Sequence, residues 1–144
     1  MKFCSLSFLI CSMITLIGCS SNKIYNEPSD KYPFDEKMKT VLGENLDVID
    51  SLRRAEVQVS YFDLKGSNNS QKILEITNLL EKDGWMLKGK GVGVNTYCLG
   101  LNNRINVVIV GNGELYDFKG GKLPKNNVDG VLYSYNKWGD DLCK

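Results

Sequence analysis

The chain has 144 residues, with 18 basic and 17 acidic side chains, a formal charge of +1 and no histidine. The near-neutral balance argues against a dedicated nucleic-acid binder, and an apolar content of 42% is that of a globular chain rather than a disordered or collagen-like one. Without histidine there is no Ser-His or Cys-His nucleophile pair, no imidazole base and no access to the commonest zinc ligand.

At the N-terminus, Met1-Lys2 leads into an apolar run from Phe3 to Gly18, the layout of a secretory signal. The run is at the short edge for a spanning helix, and no basic stop-transfer flank follows it. It ends Leu16-Ile17-Gly18-Cys19, followed by Ser20-Ser21-Asn22. This ending resembles the lipobox of bacterial lipoproteins. The resemblance is confined to residues 1–22 and says nothing of the rest. It implies cleavage before Cys19, diacylglycerol on the Cys19 sulfur and a further acyl chain, such as palmitate, on the new amino group. Ser20, where inner-membrane members carry aspartate, implies the outer membrane, facing the periplasm, in a Gram-negative host. Two or three acyl chains, at roughly 0.8 kcal/mol per buried CH₂, would hold a protein to a bilayer without any spanning helix.

On this reading residues 1–18 are a signal peptide, 19–34 a lipidated flexible tether and 35–144 a single globular domain. The tether (SSNKIYNEPSDKYPF after Cys19) is polar, carries Pro28 and Pro33 and has no apolar period. Of the 5 cysteines, Cys4 and Cys11 leave with the signal and Cys19 takes lipid. Cys98 and Cys143 remain, an even pair that an oxidising periplasm is expected to bridge.

Asp35 and Glu36 can open a helix. Met38, Val41, Leu42, Leu46, Ile49 and Leu52 then recur at steps of three and four, giving an apolar stripe for one helix, or for two short helices parted at Gly43. Ala55–Asp63 alternates, with Val57, Val59 and Tyr61 on one face, and predicts a strand. Gly66–Asn69 is a loop, Ser70 a candidate cap, and Gln71–Asp83 an amphipathic helix stopped by Gly84. Strands follow from Trp85, loosened by Gly89, Gly91 and Gly93. Asn95–Leu101 and Arg104–Val110 predict a hairpin about Asn102-Asn103, and Asn112-Gly113 marks a turn before Glu114–Phe118. Gly120–Asn127 reads as loop. Residues 128–138 fit helix and strand equally. The order predicts an α+β fold: a small two-layer sandwich, an antiparallel sheet with one or two helices on one face, stapled by the disulfide.

Chemical motifs are few. Gly84–Gly91 approaches a phosphate loop but has Gly91 where that loop needs Ser or Thr, and a helix precedes it where a strand should. Ser134-Tyr-Asn-Lys137 has the Ser-x-x-Lys spacing of penicillin-recognising enzymes without their companion motifs. Asp47 with Asp50, three apart on the expected helix face, and Glu114 with Asp117, in an expected strand, are the carboxylate pairs to weigh for glycosidase work, but solvated surface charge is the better reading of both. Asp140-Asp141 does not make a calcium loop. No catalytic residue, metal site or cofactor is expected. Tyr133, Tyr135 and Trp138 are the candidate partner-binding residues, although in a small α+β domain such aromatics more often pack in the core. The expected function is a non-enzymatic, membrane-anchored domain that binds an envelope protein, of immunity or inhibitor type. A structural or assembly accessory of the envelope is the alternative, and an enzyme or ligand carrier the least favoured. The expected partners are the membrane, through the lipid, and a protein, not nucleic acid.

Overall fold

The computed structural model describes residues 29–111, 113–124, 128–139 and 142–144, so the expected signal peptide, the lipobox-like ending with Cys19, and Asp140-Asp141 lie outside the described residues. Helix α1 (Phe34–Leu42) buries Phe34 and Met38, one turn apart. It ends at Gly43, whose φ of 99° lies in the left-handed region that a helix cannot continue through. The apolar stripe expected to run on to Leu52 is therefore split, and its last part forms strand β1 (Ile49–Arg53). Strand β2 (Val57–Asp63) follows.

Helix α2 (Asn69–Lys82) buries Ile76 and Leu80 and stops at Asp83 and Gly84, as its sequence implies. Its start differs: Ser70 is already helical and the preceding Asn68 makes no capping bond. The Asn69 amide donates to the Leu64 carbonyl (3.2 Å) and to Asp129 (3.1 Å), which ties the start of the helix to the end of the preceding strand segment and to the approach to the last strand.

Strands β3 (Met86–Lys90), β4 (Val94–Leu99), β5 (Asn103–Val108) and β6 (Gly130–Asn136) complete the chain. The β4–β5 turn is Gly100–Asn102, because Leu99 already pairs with Asn103. Glu114–Phe118 forms no strand, and Tyr116 makes only isolated bridges to Val92 and Lys122. The ambiguous tail is β6, a central strand paired on both sides. Its Val131, Tyr133 and Tyr135 alternate into the core, and that burial favours strand over helix.

All pairs are antiparallel in the order β1-β2-β6-β5-β4-β3, and the helices pack on one face: a two-layer α+β sandwich. Between the layers Phe34 stacks on Tyr133 (centroids 4.9 Å apart) and on Phe62 (5.8 Å). The Cys98–Cys143 disulfide joins β4 to the C-terminus, with Cα atoms 5.9 Å apart. Among the described residues no helix is long and apolar enough to cross a membrane.

The folded unit also takes in the end of the expected tether. Tyr32 and Phe34 are buried at 6% and 1% exposure, so the folded domain includes residues before 35. The buried Asn103 amide holds this entry segment. Its oxygen accepts the Tyr32 backbone N–H (3.1 Å) and the Tyr133 hydroxyl (2.8 Å), and its nitrogen donates to the Asp30 carbonyl (2.7 Å). The Tyr32 ring meets Trp85 edge-on at 5.0 Å, and its hydroxyl donates to Asp83.

Candidate functional site

The aromatic residues weighed as a partner-binding cluster do not assemble into one, and two of the three pack in the core. Tyr133 and Tyr135 are 0% and 1% exposed and lie between sheet and helices, whereas Trp138, beyond the end of β6, is 64% exposed. Strand alternation explains the separation, because residues 133 and 135 share the inward face and the strand ends before residue 138. Trp85 and Tyr97 are buried as well.

The carboxylate pairs do not converge either. Asp47 lies in the α1–β1 loop and Asp50 on β1, so no helix face unites them. Asp50 accepts the Ser60 hydroxyl (2.5 Å) and Arg53 (2.9 Å), and Arg53 also bridges to Asp35 (3.0 Å). The serine that receives this carboxylate contact is fully buried, so it ties β1 to β2 and is closed to substrate. Glu114 pairs with Lys122, and Asp117 accepts the backbone N–H groups of Lys119 (2.9 Å) and Gly121 (2.7 Å), which shapes a turn. Among the described residues no three His, Cys, Asp or Glu side chains come together to hold a metal ion. Ser134 and Lys137 are separated in the same way as the aromatic trio: Ser134 is within β6 and Lys137 beyond it.

The glycines of the phosphate-loop-like stretch serve packing. A Cβ on Gly91 would lie 1.9 Å from the Tyr116 carbonyl oxygen, and one on Gly89 2.7 Å from Phe118. Only glycine lets this segment pass so close beneath the loop that follows β5. That loop covers part of the sheet face opposite the helices: Leu115 packs with Val94 and Val108, joined by Val110 and Leu123.

The remaining part of that face is the distinctive surface. Strand β2 is inverted relative to a simple amphipathic strand. Its polar Gln58 and Ser60 point with Phe62 toward the helices and are buried, while Val57, Val59 and Tyr61 point the other way and stay half-exposed. Register extends this set sideways. Ile49 lies opposite Tyr61, Leu52 opposite Val59, and Leu132 opposite Tyr61 on the other side. Ile49 and Leu52 are exposed, and none of these six side chains belongs to either buried cluster. The result is an apolar platform across β1, β2 and β6, bordered by Ser134 and the half-buried Arg104 on β5. Burial lowers the tendency of the Arg104 guanidinium to hold its proton, and its Nε has no hydrogen-bond partner among the described residues. Sequence alternation placed Val57, Val59 and Tyr61 on one face. What it lacked was any signal for the side that face would take.

None of the protein-family models, curated proteins or solved structures compared with this chain matches it.

Proposed function

We propose that the protein is a lipid-anchored bacterial envelope protein whose domain binds another protein through the β1–β2–β6 platform, without catalysis of its own. The inverted strand β2 carries this reading. Side chains that alternate as a core face would normally be covered, and here they face outward beside the exposed Ile49 and Leu52. Contiguous exposed apolar surface of this kind marks interaction sites in soluble domains. The edge of β1 itself is a poorer docking element, because a register shift between Asp50 and Leu52 breaks the regular ladder that an added strand would need. The lipobox resemblance at Leu16–Cys19 supports an acylated terminus. With Ser20 it supports the periplasmic face of the outer membrane in a Gram-negative host, and the Cys98–Cys143 disulfide fits that oxidising compartment.

Site-specific photocrosslinking in cells tests the platform. A photoreactive residue at Tyr61 or Leu132 should give a discrete adduct with one envelope protein, and Val59→Lys should abolish it. The same residue at Glu81, exposed on α2, should give none. Equal adducts from both faces, or none from the platform, would reject the assignment.

A further inference from the structure

The end of the sheet at which the chain enters the domain carries a second exposed apolar group, distinct from the platform. Register places three residues there. Met86 pairs with Cys98 at the end of β4, Leu101 sits in the β4–β5 turn, and Trp138 follows β6, whose Tyr135 faces Asn103. They are 70%, 60% and 64% exposed, the highest values among the large apolar side chains described. Gly139 brings two of the three segments together, since a Cβ there would lie 2.5 Å from the Asn102 side chain and 3.2 Å from Leu101.

The incoming chain is fastened at the same end. The Asp30 carboxylate accepts the Asn102 amide and the Tyr135 hydroxyl (2.9 Å), and its carbonyl accepts from Asn103 (2.7 Å). These bonds fix the exit point of residues 19–29 beside Leu101. At about 3.5 Å per residue that segment spans under about 40 Å, so an acylated Cys19 would hold this end of the sheet within that distance of a bilayer.

We infer that Met86, Leu101 and Trp138 form a membrane-contacting edge that seats the domain on the bilayer surface. This inference rests on the lipid-anchor reading. Tryptophan and leucine suit the headgroup–acyl boundary, where an amphipathic indole keeps its N–H hydrated, and the exposed Lys137 beside Trp138 offers a cation to anionic headgroups. Seated in this way, the strands stand upright and the β1–β2–β6 platform faces sideways, toward neighbouring envelope proteins rather than into the lipid.

The full chain, expressed in a Gram-negative host fed a palmitate analogue, is purified and reconstituted into phosphatidylethanolamine–phosphatidylglycerol vesicles whose acyl chains carry bromine near the carbonyl. Bromine quenches tryptophan only at contact range. Trp85, 3% exposed, supplies the background. The expected result is loss of most of the Trp138 emission, absent in Trp138→Phe and weakened in Leu101→Ser with Met86→Ser. Palmitate-labelled protein without quenching overturns the edge and leaves the anchor standing. Quenching without label leaves the edge standing and rejects the anchor. Absence of both rejects both.

Discussion

Phe34→Ala should destabilise the domain by about 4 kcal/mol, because this residue belongs to the core and not to a tether. The ring is 1% exposed, lies nearly parallel to Tyr133 at 15° and stacks on Phe62 at 27°. Truncating a buried phenylalanine removes its transfer free energy and leaves a cavity, together about 3–5 kcal/mol, and each lost aromatic contact accounts for about 0.5–1.5 kcal/mol within such totals. Urea unfolding with the disulfide intact, followed by far-ultraviolet circular dichroism and Trp85 emission, measures the loss. With a slope of about 2 kcal/mol/M, the midpoint should fall by about 2 M. Phe34→Leu, which keeps most of the apolar volume, should lose less than half as much. A loss under about 0.5 kcal/mol for Phe34→Ala, the range of surface substitutions, would refute the reasoning and return residues 30–34 to the tether. A chain begun at residue 29 should fold, whereas one begun at residue 35 lacks both Tyr32 and Phe34.

Two further predictions concern stability. Cys98→Ser with Cys143→Ser should lower it by about 4 kcal/mol, the loop-closure entropy for a separation of 45 residues, read as a shifted denaturation midpoint. An unshifted midpoint would place the constraint elsewhere. Acid should also weaken the fold. The Lys37 ammonium (2.9 Å) and then the Tyr32 hydroxyl hold the Asp83 carboxyl below the usual carboxylate range, and Asn102 and then Tyr135 do the same for Asp30. Carboxyls titrate near about 3.9 when unfolded and lower when folded, so the stabilisation is complete above that value and is lost as pH falls toward the folded pKa values. Urea midpoints taken from neutral pH downward should decline below about pH 4, less so in Asp83→Asn. Midpoints that hold or rise in acid would contradict the sign.

The parts of the fold legible in the sequence are those with local causes. The α2 helix shows because Ile73, Ile76 and Leu80 keep one period and Gly84 ends it. The bridge between Cys98 and Cys143 follows from counting if the proposed signal and lipid anchor claim the three other cysteines. The parts that misled have non-local causes. Leu46, Ile49 and Leu52 continue a helical spacing past Gly43, but pairing with β2 draws Ile49 and Leu52 into a strand. Pro33 and the polar residues before it look like linker, yet Asn103, 71 residues from Tyr32, gathers that segment into the core.

By itself, then, the amino-acid order determined the α+β class, the secure helix, the disulfide pair and the absence of histidine chemistry, since each depends on composition, short-range period or counting. It also carries the Leu16–Cys19 ending on which the proposed anchor rests. The tertiary structure decided which side of each strand faces the helices. A period of two is symmetric between the two faces of a sheet, and only register with neighbouring strands breaks that symmetry. That choice buries Tyr133 and Tyr135, turns Val57, Val59 and Tyr61 outward and leaves Trp138 exposed at the end where the chain enters.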